Sequence, residues 1–477
     1  MADETKKPTF LYALTILLVV VAIIATGMIV FGAAIQIMMF TALLAVIPFI
    51  MRLGYSFKEV EQNIYESMLK ALQPGMIILT VGILIGAWMA SGTVPSIIYY
   101  GIEAISPQFF LVTALILCSV VSMATGASWA TLGTAGVAMM GVGHSLGMPV
   151  GMTAGAVVSG AFFGDKMSPL SDSTNLSAAI VGADVLDHIK HMLLTTGPAY
   201  IISAIIFTIL GWVYGGSAIN STDVDTLTGY LAENFHLGLI PLIPPAIVIV
   251  LLVMKKPPVT SIFIGALAGA AVAVLDQGAT MSQVTHIFYE GYTDSSGIDI
   301  VDSLLQQGGL TSMLPLIGLY LFALGLGGAL YNFGVLEAML QAVAAHIKGR
   351  GVLVGLSMAT GYAMLGIGGS FSFSGVMTGT LLRPLFERFK LSPLNLSRII
   401  EDTATQTAPL LPWTAGGLFT IGALGISPLV YIPFCFLALI TPVFTLLYGI
   451  TGIGMKETKD VRSKPSIKRK SVSADLR

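Results

Sequence analysis

Residues 160–184 read GAFFGDKMSPLSDSTNLSAAIVGAD, and residues 398–425 read RIIEDTATQTAPLLPWTAGGLFTIGALG. Both segments set acids, hydroxyls, an amide and a proline inside otherwise apolar sequence. Proline lacks a backbone donor and leaves a carbonyl one turn back without its partner. A helix broken in this way at membrane depth offers oxygen ligands, which hard cations prefer. Placing Pro169 on Pro409 sets Ser168-Pro169-Leu170 against Ala408-Pro409-Leu410 and Thr174 against Thr414. Interrupted spans at matching places in two halves of a chain are the sequence mark of a secondary transporter's site. A polar loop at the membrane surface would explain either segment alone; the pairing favours a site.

The surroundings are lipid-soluble. Only 10% of the 477 residues are charged and 55% are hydrophobic, with a mean hydropathy of +0.87. A soluble domain carries about a quarter charged residues, so too few are present for a water-facing surface. Twelve apolar runs stand out: 10–26, 30–52, 76–91, 109–125, 150–163, 199–214, 237–254, 260–275, 312–331, 352–366, 410–424 and 429–450. A helix needs about 20 apolar residues to cross a bilayer. The expected fold is therefore an all-α polytopic membrane protein of about 10–12 transmembrane helices. One transmembrane domain, residues 1–455, is expected to hold two repeats, roughly 75–215 and 311–450, followed by a polar, basic, disordered tail, 456–477. The first apolar run is too long for a signal peptide and is read as two spans.

Charge sets the orientation. Between Met76 and Met254 the only basic residues are Lys166 and Lys190. Basic residues gather at Lys6-Lys7, Arg52–Lys70, Lys255-Lys256, Lys348–Arg350, Arg383–Lys390 and after Lys456. Positive loops stay in the cytoplasm, which puts both termini inside and Gly216–His236 and Gln277–Gly309 outside. Phe57, Val60, Ile64, Met68 and Leu72 recur at helical spacing among charges, predicting an amphipathic helix on the cytoplasmic interface. Asp184–His191 reads as a second one. Glycine-rich clusters at Thr125–Gly143 and Gly366–Gly379 follow apolar spans, and each is read as a re-entrant hairpin, allowed where protein or a water cavity satisfies its backbone. Cys118 and Cys435 lie in separate spans and read as packing residues.

Intramembrane acids are costly and default to function. Burial favours a proton on a carboxylate, while a bound cation displaces it. One carboxylate can thus hold a proton or a sodium ion in turn, which is antiport if the site opens to one side at a time. Asp172 and Asp402 are the expected proton and sodium carriers, with Na+ bound at both, and Asp165 is third because Lys166 beside it can engage it in a structural pair. Ser173, Thr174, Asn175, Thr403, Thr405 and Thr414 are candidate ligands. Arg398, one turn from Glu401, is expected to neutralise it and leave Asp402 the freer acid. Ser128, Thr131 and Thr134 in the first hairpin, and Ser370, Ser372 and Ser374 in the second, can reach the same cavity, although Ser and Thr more often bond their own backbone. Trp413 reads as an interfacial anchor rather than a site residue. Most histidines fall in expected loops and read as solvated, with His188 and His191 the candidates for sensing pH. No phosphate loop and no nucleic-acid signature occur.

The runs 126–184, GASWATLGTAGVAMMGVGHSLGMPVGMTAGAVVSGAFFGDKMSPLSDSTNLSAAIVGAD, and 397–417, SRIIEDTATQTAPLLPWTAGG, resemble the NhaC family of bacterial sodium/proton antiporters. The resemblance spans residues from about Gln36 to about Gly449. It implies a two-repeat ion transporter with inverted repeats and paired hairpins, a homodimer in a bacterial cytoplasmic membrane, moving Na+ and H+ with no cofactor. It also keeps open a proton–malate/sodium–lactate or amino-acid exchanger, since Lys166, Asn175 and the hairpin serines could hold a small carboxylate. An ion channel with two pore-like hairpins is the alternative from another class. An intramembrane enzyme lacks a zinc or Ser/His constellation.

Overall fold

The computed structural model describes residues 7–215, 221–344, 347 and 349–458. The expected tail therefore lies almost wholly outside the described residues, as do His346, Lys348 and part of the loop after Tyr214. The chain begins with α1 Phe10–Phe31, α2 Ile35–Met51, α3 Phe57–Leu69, α4 Leu72–Ala90 and α5 Thr93–Ala104. Then come α6 Phe110–Thr125, α7 Ser128–Thr131, α8 Val137–Ser145, α9 Val150–Met167, α10 Asp172–Val181 and α11 Val185–Tyr214. After α12 Ser221–Asn234 follow α13 Ile243–Val253, α14 Pro258–Leu275, α15 Met281–Glu290, α16 Asp299–Leu305, α17 Leu310–Asn332 and α18 Val335–Ala344. The chain closes with α19 Arg350–Gly368, α20 Phe371–Arg388, α21 Pro393–Ile400, α22 Ala415–Leu424, α23 Pro428–Tyr431 and α24 Phe436–Thr451. No strand occurs among the described residues.

Among the described residues, seven helices are long and apolar enough to cross a bilayer, an eighth span is counted if the bent pair Ala415–Leu424 and Pro428–Phe434 is one, and three shorter apolar helices accompany them. This is a multi-pass all-α membrane protein, as expected, and each apolar run falls largely on a helix. Its lipid-facing sides are apolar, with Ile29, Leu186, Ile201 and Leu429 exposed.

The amphipathic segment forms α3, opened by a capping box of Ser56 and Glu59. Its apolar face meets protein rather than lipid alone: Val60, Ile64 and Ser67 are buried, and Ile64, Ser67 and Met68 press on Gly325 and Gly328 of α17. The second expected interfacial helix is instead the opening of the 30-residue α11, which Asp184 caps at Leu186 N and Asp187 N. Across the bundle, Gly309 N donates to Gly82 O of α4 at 2.7 Å, so the loop before α17 lies directly on α4. In α16, just before that loop, Asp302 accepts from Ser295 and Ser296, and these bonds pull its carboxyl down to about 2.

The glycine clusters prove to be helices. α6 ends at Gly126, whose φ of 69° is left-handed, and the chain returns through α7, a π turn at Leu132–Gly136 and α8. α19 ends at Gly369, with a φ of 63°, and returns as α20. Each cluster is thus the tip and returning arm of a helical hairpin whose first arm is the preceding apolar helix. Both tips rest on helix breaks. A side chain at Gly126 would collide with Leu170, and Ala415 N donates to Gly369 O at 2.8 Å. The breaks carry helix caps at Ser171 and Thr414, so Thr414 matches Ser171 and not Thr174. Three residues, Leu411-Pro412-Trp413, lengthen the second break. Trp413 is no interfacial anchor: its indole donates to Gly366 O at 2.6 Å, beside the second tip.

α6 and α9 pack backbone to backbone. A Cβ on Gly160 would lie 2.3 Å from Leu115 O, and one on Gly164 would lie 2.3 Å from Ser119 O. Small residues one turn apart permit this approach. Gly164→Val should therefore cost about 1–3 kcal/mol of stability through overpacking, read as a lowered unfolding temperature in detergent, while Gly197→Ala, with open space around it, should leave that temperature unchanged.

Candidate functional site

Both hairpin tips and both helix breaks face one cavity of about 630 Å3. Its wall includes Ser128 and Trp129 from the first tip, Asp165, Asp172 and Ser173 from the first break, Ser370, Ser372 and Phe373 from the second tip, and Thr405 and Ala408 from the second break. Tyr320 and Tyr331 of α17 close one side, and Lys70, Gln73, Pro258 and Asn332 also line it. The ring of Trp129 stacks on Phe419 of α22 with centroids 5.0 Å apart, which joins the first hairpin to the second break.

Two pairs of neighbouring residues send their side chains to different places. Successive residues on an α-helix point about 100° apart. At the end of α9, Asp165 faces the cavity while Lys166 turns into the protein. Asp165 is 9% exposed, and its Oδ2 accepts from Ser128 Oγ at 2.7 Å. Lys166 is fully buried and pairs with Asp402 Oδ1. Thr445 Oγ1 of α24 donates to Asp402 Oδ2 at 2.6 Å. The expected pairing of Lys166 with Asp165 does not form, and Asp402 is not the freer acid.

The π turn at Glu401–Thr405 does the same for the second break. Such turns break the regular ladder and are frequent at functional sites. Glu401 is fully buried and its Oε1 accepts from Ser177 Oγ at 2.8 Å. Arg398 does not neutralise it. That guanidinium donates to Gly454 O at 3.1 Å and lies 5.9 Å from the Tyr448 ring centroid, which anchors the residues after α24.

The remaining candidates divide by partner. Asp172 is exposed at the cavity wall and begins α10, where an acid also suits the helix dipole. Ser173 lines the cavity and bonds Ser171 at 3.0 Å. Ser370 caps α20 at Phe373 N, and Ser372 is exposed to the cavity. Several others bond backbone carbonyls: Thr131 to Ala127, Thr134 to Ala130, Thr174 to Lys166, Thr403 to Ile399 and Ser374 to Gly361. Asn175 caps Pro169 O and Ser171 O, and Thr414 donates to Ala408 O and Leu411 O. The carbonyls freed by the breaks are thus held by side chains of the same breaks. Thr405 is different: it lines the cavity, is 3% exposed, and its hydroxyl bonds no backbone carbonyl but stands beside the Glu401 carboxylate.

Two features escaped sequence reasoning. His188 and His191 are buried rather than solvated, bonding Ser397 Oγ at 2.8 Å and Asn395 Oδ1 at 3.1 Å. Glu401 was set aside because Arg398 stands one turn away, and no sequence signal shows that Arg398 turns toward Gly454.

Removing one partner of a buried ion pair leaves an uncompensated charge and costs about 3–5 kcal/mol. Lys166→Met should destabilise the protein by that order. The double variant Lys166→Met/Asp402→Asn should regain most of the loss, as measured by thermal unfolding in detergent.

The chain matches the Na+/H+ antiporter family over residues 160–453, a stretch that contains both helix breaks. It is 36% identical over 457 residues to the malate-2H(+)/Na(+)-lactate antiporter of Bacillus subtilis, covering 96% of this chain and 98% of that protein. It is 35% identical over 460 residues to the Na(+)/H(+) antiporter NhaC of Alkalihalophilus pseudofirmus, covering 96% and 99%. To the arginine/ornithine antiporter ArcD of Halobacterium salinarum it is 32% identical over 473 residues, covering 97% and 96%. The cavity, the paired helix breaks and these likenesses lead to one conclusion: the chain belongs to the Na+/H+ antiporter family of multi-pass membrane transporters.

Proposed function

We propose that this protein exchanges sodium for protons across a bacterial cytoplasmic membrane, through competition for negative charge at the floor of the cavity. The observation that carries this is the state of Asp165. It is nearly buried, faces the cavity, is bonded by the Ser128 hydroxyl and has no cationic partner. Such a carboxylate binds sodium with the hydroxyls around it, and arrival of the cation favours loss of a nearby proton. Asp172, exposed in the same wall, draws cations in. Asp402, saturated by Lys166 and Thr445, ties the two breaks together and is not the first sodium ligand. The exchange needs no cofactor; Na+ is cargo.

The two halves act as repeats of inverted topology. Each has a hairpin with a glycine tip, a broken helix and a capped second piece, and each tip rests on the break of its own half. Lys70, Gln73, Pro258 and Asn332 of the cavity wall lie near the basic stretches Arg52–Lys70 and Lys255-Lys256, which places this part of the wall on the cytoplasmic side if positive loops stay inside. A homodimer is proposed from the resemblance alone.

The cavity volume favours a second reading, in which an organic solute is also carried, since about 630 Å3 far exceeds one ion. The relatives named for malate, lactate, arginine and ornithine make that reading worth testing. The acidic floor favours a cation over a carboxylate, because Lys166 is already paired.

In proteoliposomes, Asp165→Asn should abolish sodium-driven proton flux, while Asp172→Asn should weaken apparent sodium affinity and spare maximal flux. Full activity of Asp165→Asn would remove it from the site. Thermal stabilisation by sodium alone supports the ion exchanger; stabilisation by malate, lactate or arginine supports the second reading. Ser372→Cys should react with a membrane-impermeant thiol reagent in inside-out vesicles and not in right-side-out ones, against a low background because Cys118 and Cys435 are buried.

A further inference from the structure

We infer that Glu401, rather than the acid that binds sodium, carries the exchanged proton, and that the Thr405 hydroxyl connects it to the cavity. The inference rests on the exchange reading above. Among the described residues the acids below 10% exposure are Asp165, Glu401 and Asp402. Asp402 is matched by Lys166, and Asp165 opens onto the cavity. Glu401 has neither a direct cationic partner nor contact with the cavity. One oxygen accepts from Ser177; the other, Oε2, has the Thr405 hydroxyl beside it and no further partner among the described residues. A fully buried carboxylate in that condition is costly as an anion and is relieved by a proton.

The surroundings allow the proton to leave when sodium arrives. Thr405 belongs both to the cavity wall and to the π turn that begins at Glu401. Its hydroxyl can accept the proton of Glu401 Oε2 while giving its own to cavity water, so one proton enters the water and Glu401 becomes an anion. Sodium at Asp165 supplies the balancing charge, since Asp165 lies close enough to Glu401 for their charges to interact. Lys166, on the same helix as Asp165, also lies close enough for its charge to be felt at Glu401. Of the other titratable groups around this turn, Tyr362 of α19 interacts with Asp402, His188 of α11 bonds Ser397 and feels Lys166 and Asp402, His191 of α11 bonds Asn395, and Arg398 bonds Gly454 over the Tyr448 ring of α24. Sodium and proton thus sit on two carboxylates coupled by charge, one wet and one dry.

The test separates sodium binding from proton coupling. In proteoliposomes, Glu401→Gln should retain radioactive sodium/sodium exchange at saturating sodium, now insensitive to pH, and lose sodium-driven proton flux to the level of empty vesicles. Asp165→Asn should lose both, and retention of both by Asp165→Asn would defeat the exchange reading itself. Retained pH-dependent proton coupling in Glu401→Gln would overturn the present inference, as would loss of sodium/sodium exchange in a variant whose thermal unfolding remains cooperative. If Glu401→Gln does not fold, Glu401→Asp decides. Drawing the acid one methylene away from Thr405 should displace the pH profile of exchange, and an unchanged profile would overturn the inference.

Discussion

The buried pair of Lys166 and Asp402 is the constraint on which the rest of the site depends. Neither side chain is exposed, and they come from helix breaks that lie more than two hundred residues apart in the chain. Two charges are taken out of water only if each finds the other with good geometry and further bonds. Thr445 supplies one such bond, and Thr174 holds the carbonyl of Lys166 itself. The pair fixes how the end of α9 faces the π turn after α21. That in turn decides what the neighbouring residues, Asp165 and Glu401, can see.

Around this tie the molecule meets the main demand of lipid solvent, which is that no backbone group remains unpaired. Two helices are broken, and the groups freed at the breaks are taken up locally. Asn175 takes Pro169 and Ser171, Thr414 takes Ala408 and Leu411, and Gly369 accepts from Ala415. Of the candidate hydroxyls, Thr174 and Thr414 are used in this way, while Thr131, Thr134 and Thr403 bond carbonyls one turn back in their own helices. Buried side-chain polar atoms without a partner occur at several places among the described residues, and one group of them lies between Arg398 and Gln406, where Arg398 Nε and both ends of the Gln406 amide stand in sequence on either side of Glu401 and Thr405. Unsatisfied buried groups in a native protein call for a functional explanation, and a transported proton or ion provides it.

The divergence of adjacent residues explains why the acids differ in surroundings. Helical geometry separates neighbours by about 100°, so Asp165 and Lys166 cannot face the same surroundings, nor can Glu401 and Asp402. One member of each pair is spent on the cross-connection. The other remains where charge can be gained or lost. A cavity of about 630 Å3 stands over this floor.

Much was legible in the sequence because lipid solvation is a compositional property. The low charge, the apolar runs and the matched breaks at Pro169 and Pro409 follow from local chemistry, and the polypeptide must honour them wherever its helices lie. The hairpin tips were legible as glycine clusters, although their returning arms were not, since α20 is too polar to read as a span. Pairing between distant residues was not legible. Arg398 stands one turn from Glu401 in the chain yet binds Gly454, and Lys166 adjoins Asp165 yet binds Asp402. His188 and His191 read as residues of an interfacial helix and are buried. The sequence by itself determined that acids stand inside broken membrane helices, because periodicity and proline chemistry act over a few residues. Only the tertiary structure decided which acid is paired, which is wet and which is left alone, because side-chain direction and packing across the two halves set those environments.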